Sequence, residues 1–278
     1  MSARRPRVLF VTDLAYQAQG RRYCDEDIFL TSRLRQEFDI ALCHPLDAAS
    51  LLDAFSTVVV RNSGPVLHYR AEYEEFRERA AARGTRVYNP LTGRGDMAGK
   101  QYLVDLTAAG YPVIPTVERA QDLGSLPEVG AYVVKPKAGA DSIGLRVVPP
   151  EQLGRLAFGE ILVQPRIDFR YEVSFYFVDD TCQYALYAPD PERRWALEPY
   201  EPTEADLAFA RRFVAWNTLD HGIQRVDACR DQDGELLLVE LEDLNPYLSL
   251  DLLPDGTRDA FVAAMATSLH RFIEAPGG

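Results

Sequence analysis

The chain has 278 residues, 47% of them hydrophobic, with 30 Lys and Arg against 42 Asp and Glu and a formal net charge of −12. That is enough apolar material for the core of one large domain or of two to three small ones in a soluble globular protein. The acidic surplus argues against nucleic acid or an anionic membrane as a general partner, because phosphate binding needs a basic surface, and leaves small molecules as the expected partners.

Four cysteines (Cys24, Cys43, Cys182, Cys229) make no CxxC pair and the four histidines make no HExxH spacing, so neither a disulfide framework nor a structural zinc is expected. The opening "MSARRPRVLFVTDL" is basic, but its apolar run stops at Asp13, too early for a signal peptide. No apolar segment is long enough to span a membrane, and a reduced cytoplasmic setting is expected.

In chain order, "RVLFVT" reads as a strand and "DEDIFLTSRLRQEF" as a helix with an acidic first turn and an apolar stripe of Ile28, Leu34 and Phe38. "DIALCH" is a second strand, "AASLLDAF" a helix and "TVVVRN" a third strand. "AEYEEFRERAAAR" is a helix closed by Gly84, ahead of a fourth strand in "RVYNP". This alternation is the signature of an open α/β layer, so residues 1–90 are expected to form a small Rossmann-like domain. No GxGxxG follows the first strand, which speaks against dinucleotide binding there.

The texture changes after Pro90. "NPLTGRGDMAGK" is glycine-rich and polar, "QYLVDLTAAG" is a short helix closed by Gly110, and "YPVIPT" is extended. Three short strands in "AYVVKPK", "GLRVV" and "EILVQP" complete a second unit, residues 91–168. The third, residues 169–278, holds strands "YEVSFYFVDD" and "CQYALYA", helix "TEADLAFARRFVAWN", a hairpin in "GIQRVDACRDQDGELLLVELED" and a last amphipathic helix near "RDAFVAAMATSLHRFI".

The hairpin raises the sharpest chemical question. Burying Glu240 and Glu242 at the end of an apolar strand without partners would cost several kcal/mol apiece, so positive charge is expected beside them. With a two- or four-residue connection, Arg225 and Asp227 share a face with Leu238, Glu240 and Glu242. A three-residue loop puts Asp227 on the opposite face. Three converging carboxylates suit a hard cation such as Mg²⁺, which takes oxygen ligands; the plainer alternative is a solvated hairpin edge. Asn245 and Pro246 either add an oxygen or end the strand. In "YVVKPKAGADSIG", Lys135 ends an apolar strand ahead of a loop with Gly139 and Gly144, where a lysine and loop N–H groups could meet phosphates, or could form an ordinary turn. Lys100, after "GDMAG", is by itself an unremarkable surface lysine, and "EILVQP" a plain core strand.

Order and spacing connect these pieces. A lysine before a helix, a strand with "KPKAGADSIG", a strand with "ILVQP", then Arg225-Val-Asp227 and Glu240-Leu-Glu242 together resemble the ATP-grasp superfamily, from about Asn89 to Pro246. The resemblance implies an ATP-grasp fold with an N-terminal Rossmann-like domain preceding it, as in D-alanine:D-alanine ligases and glutathione synthetases. It implies that Lys100 and Lys135 touch the α- and β-phosphates of ATP, that the loop with Gly139, Ser142 and Gly144 covers the triphosphate, and that Leu162, Val163 and Gln164 line the adenine pocket. Arg225 and Lys135 would serve catalysis, and Asp227, Glu240 and Glu242 would hold Mg²⁺, two ions being expected. Family members commonly carry asparagine where Glu242 stands, so this site is one charge more acidic.

The activity implied is an ADP-forming, ATP- and Mg²⁺-dependent carboxylate–amine ligase that joins small amino acids through an acyl phosphate. The segments "YCDEDIFL", "VVVRNSGP" and "NPLTGRGDMAGKQYL" are similar to small amino-acid ligases of natural-product pathways, nearest to the γ-glutamyl ligases of terminal-alkyne amino-acid biosynthesis. Cycloserine-forming cyclo-ligases, which share the Glu-x-Glu pattern, and non-catalytic ATP-binding modules are the alternatives. Tyr16, Arg61 and Asn62, at strand ends facing the crevice, are candidate substrate contacts; for Arg61 the competing reading is a rim arginine in a surface ion pair.

Overall fold

The computed structural model describes residues 5–18, 20–61, 66–138, 143–190, 193, 195–244 and 246–275. Apolar runs in the first 90 residues form β1 (Arg7–Val11), β4 (Asp39–Cys43), β5 (Thr57–Val60) and β6 (Arg86–Tyr88), after a two-residue ribbon pair, β2 (Gln17–Ala18) and β3 (Arg21–Arg22), inserted behind β1. The four strands pair in parallel in the order β4-β1-β5-β6. Val8 to Val11 and Thr57 to Val60 are buried throughout, as parallel strands covered on both faces must be. Leu9, Val11, Val58 and Val60 pack against α2 (Pro45–Leu51) and α3 (Arg70–Arg83). Gly84, at φ 62°, ends α3 in the left-handed conformation, and the Thr85 N–H returns to the Ala80 carbonyl.

The other face, with Val8, Phe10 and Val59, packs against α1 (Cys24–Leu34) and the last helix, α6 (Asp255–Glu274). Ile28 does not lie on the buried stripe of α1, as its spacing suggested: it is 46% exposed. The buried positions are Cys24, Glu26, Asp27, Leu30, Thr31 and Leu34; the last four make an i, i+3, i+4, i+7 set whose first member is a carboxylate, which is why the apolar pattern alone misplaced it.

Beyond α4 (Tyr102–Ala108), β7 (Tyr132–Pro136), β8 (Arg146–Val148) and β9 (Ile161–Pro165) form an antiparallel sheet in the order β8-β7-β9. β10 (Phe169–Val178), β11 (Thr181–Ala188), β12 (Glu198–Tyr200), β13 (Ile223–Asp231) and β14 (Leu236–Glu242) form a larger antiparallel sheet, ordered β12-β11-β10-β13-β14, with α5 (Glu204–Asn217) between β12 and β13. One face of this sheet, with Phe175, Val226, Ala228 and Leu241, packs against α5 and against Leu103 and Leu106 of α4. The opposite face contributes Tyr176, Val178, Tyr184 and Leu186 to the core shared with the N-terminal sheet.

Buried ions pin that junction. Arg61 follows β5 and is 2% exposed, so it is not a rim residue. Its Nε donates to Asp27 Oδ1 at 2.8 Å, its Nη2 to Glu26 Oε1 at 2.7 Å and its Nη1 to the Pro246 carbonyl at 2.7 Å. Glu26 also accepts the Leu248 N–H at 2.9 Å, and the Leu248 carbonyl accepts from the Tyr184 hydroxyl at 2.8 Å. The strap after β14 is thereby tied to α1, β5 and β11 at once.

Here one guanidinium serves two buried carboxylates. Burial pushes the Glu26 carboxyl up to about 8, with Arg61 pulling it back. A carboxyl raised in the folded state favours folding most below its unfolded range, near 4.5, and that contribution is lost as pH rises through about 8. Thermal melts should therefore fall more steeply between pH 5 and pH 9 in the wild type than in Glu26→Gln; parallel profiles would mean that Glu26 is ionised across the whole interval.

Candidate nucleotide and metal site

The turn joining β13 to β14 has three residues, Gln232 to Gly234, closed by the Asp231 N–H to the Glu235 carbonyl at 2.9 Å, with Gly234 at φ 93°. By itself that parity would set Asp227 opposite Val239 and send Glu240 to the other face. The ladder instead shifts between Ala228, which pairs with Leu238, and Asp227, which pairs with Glu240, leaving Val239 as a bulge. Beyond it Asp227 faces Glu240 and Arg225 faces Glu242. Leu238 does not join them: it lies on the core side of the bulge, fully buried with Val226 and Leu241. Its backbone is held there by the Pro112 carbonyl at 2.9 Å and the Ile114 N–H at 3.2 Å.

Asp227, Glu240 and Glu242, each half-buried, present oxygens within 4.8 Å of one another. Arg225 grips the cluster: Nη2 donates to Asp227 Oδ2 at 2.8 Å and to Glu242 Oε1 at 2.6 Å, Nε to Asp227 Oδ1 at 2.9 Å, and Nη1 to the Tyr247 carbonyl at 2.8 Å. Glu240 is ion-paired to Lys100. Three carboxylates against two cations leave a net negative pocket. Burial pushes the Glu242 carboxyl up to about 8, with Arg225 pulling it back, and burial pulls the Lys100 ammonium down. A compact, oxygen-only carboxylate set of this kind fits Mg²⁺, whose charge would favour the ionised form of Glu242.

Sequence reasoning missed what holds Lys100 in place. Asp243, fully buried, accepts the N–H groups of Gly95 (2.9 Å) and Met97 (2.8 Å) and the side-chain amide of Asn217 (2.9 Å). Asp96 reciprocates, accepting the N–H groups of Asp243 (2.7 Å) and Leu244 (3.0 Å). A Cβ on Gly95 would stand 2.7 Å from the Leu241 carbonyl oxygen, so the glycine admits this close approach. Asn89, buried at φ 52°, adds bonds to Ile223 and to the Asp243 carbonyl. The available signal was "RGD" followed by "EDLN": acidic residues beside glycines read as solvated turns until a second strand end supplies, or needs, the donors.

Lys100 spans the two antiparallel sheets, its ammonium on Glu240 of β14 and its N–H on the Lys137 carbonyl just past β7 at 2.8 Å. Lys135 is buried on the face of β7 that also carries Val133, with Leu162 and Gln164 opposite them on β9 and Val147 opposite Val133 on β8. Val147 is 52% exposed and Val133 half-buried on this face, so an apolar surface stands open beside the lysine. Val163 points the other way, into a core with Val134, Val148 and Val117, because it lies one residue out of phase with Leu162 and Gln164. The Gln164 amide donates to Thr116 Oγ1 at 2.8 Å. Gly144 returns the loop at φ 79°, with Pro136 where a Cβ would go. Tyr16 lies edge-on to Tyr23, 5.3 Å between ring centroids. Gly139, Ser142, Asn62 and Asn245 lie outside the described residues.

A lysine-bearing antiparallel sheet bridged by Lys100 to a second sheet with a carboxylate–arginine face is the arrangement of an ATP-grasp enzyme, and the comparisons agree. No family model matches the chain. It is 29% identical over 252 residues, 77% of this chain and 84% of the relative, to the cycloserine biosynthesis protein DcsG of Streptomyces lavendulae. The crystal structure of the D-cycloserine synthetase DcsG matches with a TM-score of 0.74 at 25% identity, over 95% of this chain and 99% of that one. D-alanine–D-alanine ligase from Bacillus anthracis, complexed with ATP, shares the fold at TM-score 0.64 and 15% identity over 96% of each chain. So does the ATP-grasp ligase PsnB with its minimal precursor, at 0.62 and 16% over 96% of this chain and 99% of that one. The chain is an ATP-dependent ATP-grasp carboxylate–amine ligase.

Replacing Glu240 by Gln removes an oxygen charge from the cluster without changing its shape. Turnover at limiting Mg²⁺ should fall by about a hundredfold or more, while cooperative melting is retained because the repulsion relieved among the carboxylates offsets the lost Lys100 ion pair. Near-normal turnover at limiting Mg²⁺ would show that these oxygens do not hold the metal.

Proposed function

We propose that this enzyme phosphorylates the carboxylate of a small amino acid with ATP and lets an amine displace phosphate, forming an amide and releasing ADP. The observation that supports it most is the single face on which Arg225, Asp227, Glu240 and Glu242 meet, with Lys100 reaching it from the nucleotide side. Asp227, Glu240 and Glu242 would hold one or two Mg²⁺ ions, which when bound offset the charge on the phosphoryl oxygens. Lys100 and Lys135 would take the α- and β-phosphates. In doing so Lys100 would exchange Glu240 for phosphate and free that carboxylate for the metal. The loop of Gly139, Ser142 and Gly144 would cover the triphosphate, and Leu162 and Gln164, with Val147, would line the adenine slot, Val163 contributing backbone only. Arg225, braced by two carboxylates and the Tyr247 carbonyl, is aimed to stabilise the transferring phosphoryl group.

The substrates in this reading are two small amino acids, glutamate being the first candidate for the acyl donor through its γ-carboxylate. A second reading is favoured by the likeness to DcsG: a self-cyclising amino acid that carries carboxylate and amine in one molecule. A screen of single and paired amino acids with ATP and Mg²⁺ separates them, since turnover with one amino acid alone selects cyclisation. In either case one ¹⁸O from a labelled carboxylate should appear in the released phosphate. AMP as product, or unlabelled phosphate, would remove the acyl-phosphate mechanism.

The two cations should separate kinetically. Lys135→Ala should raise the KM for ATP about tenfold or more, because it meets ground-state phosphate; Arg225→Ala should lower kcat about a hundredfold with a smaller change in KM, because it acts on charge developed in the transition state. Equal effects on affinity alone would contradict both roles.

A further inference from the structure

With Arg61 committed to Glu26, Asp27 and the Pro246 carbonyl, the crevice beside Arg225 needs another cation if it is to read a substrate carboxylate. Arg21 meets the requirements. It lies half-buried on the β2–β3 ribbon of the N-terminal layer, and its guanidinium carbon stands 5.7 Å from the centroid of the Tyr247 ring. Tyr247 is the residue whose carbonyl accepts from Arg225, so one residue of the strap separates the two guanidinium groups. The ring is fixed from its other partner, Tyr23, stacked at 4.6 Å and 24°, and Tyr23 in turn meets Tyr16. Its neighbour Arg22 is tied to Asp25 at 2.6 Å. Arg21 has no carboxylate partner among the described residues, in a chain of net charge −12. Arg225, by contrast, is already neutralised by Asp227 and Glu242. A guanidinium held over the Tyr247 ring and hydrogen-bonded to its hydroxyl is oriented, and a planar carboxylate matches the N–H groups it keeps.

We propose that Arg21 determines specificity by binding a substrate carboxylate that is not activated, so that the amino acid keeps one free carboxylate through the reaction. This rests on the ligase reading above and goes further: it selects joining of two molecules, since a self-cyclising amino acid with one carboxylate has none to spare.

The test is calorimetric binding of the twenty proteinogenic amino acids and their α-carboxamides to wild type, Arg21→Gln and Arg21→Lys, with Mg²⁺ and a non-hydrolysable ATP analogue present. The wild type should bind at least one amino acid about ten- to a hundredfold more tightly than its α-carboxamide, as expected for a charged hydrogen-bonded pair. Arg21→Gln should lose that difference, Arg21→Lys should recover part of it, and all three should bind the ATP analogue equally and melt alike. Retained discrimination in Arg21→Gln, equal weakening of amino acid and carboxamide, a loss of nucleotide affinity, or no binding of any of the twenty by the wild type would overturn the proposal. Failure of the ligase reading shows separately, as absence of ADP formation in the wild type with any single or paired amino acid.

Discussion

One residue without a partner across the ladder, Val239, sets the phase of the carboxylate–arginine face. The turn at Gln232 to Gly234 pairs the hairpin in a register that would drive Glu240 and Glu242 into the core of Val226, Ala228 and Leu238, at a cost of several kcal/mol for each carboxylate. The bulge shifts the phase by one residue, so that Leu241 follows Leu238 into that core and both glutamates meet Arg225 and Asp227. Bulges recur at such positions because they re-aim side chains without breaking the sheet. Here the pairing of residues 112–114 with Leu238 anchors one side of the shift.

Charge compensation then organises the surroundings. Asp227, Glu240 and Glu242 are offset in part by Arg225 and Lys100, which leaves the pocket attractive to a cation while keeping its carboxylates half-buried. Lys100 can serve only because the glycine-rich segment before it is fastened to the end of β14 by Asp243 and Asp96, each accepting N–H groups from the other's neighbourhood. The acids at the end of that strand therefore divide their work. Glu240 and Glu242 face the cluster, and Asp243 points back to hold the loop that delivers the lysine.

The N-terminal layer acts on the same centre through the strap that follows β14. Arg61 and Glu26 hold Pro246 and Leu248 from one side, and Arg225 holds Tyr247 between them from the other. Alternate backbone groups of one short segment thus connect a buried ion pair in the N-terminal layer to the arginine of the cluster. Loosening either end changes how Arg225 is aimed.

The elements of the N-terminal sheet, the glycine end of α3, the lysine ahead of a glycine loop and the Arg-x-Asp with Glu-x-Glu spacing were all legible in the sequence, because each depends on local periodicity or on residue types close together in the chain. The residues of the candidate site were nameable for the same reason. Their facing was not. Parity across the hairpin turns on a bulge fixed by residues 112–114, more than a hundred positions away, and Val163 fell out of phase with Leu162 and Gln164 once the ladder was set. Arg61 reads as a surface arginine until Glu26, Asp27 and Pro246 close over it, and Asp243 reads as solvated until Gly95 and Met97 arrive. Sequence by itself determined which charges the chain carries and where its strands begin; tertiary structure alone decided which of those charges meet, because a buried charge takes its partner from whichever strand or loop packs against it.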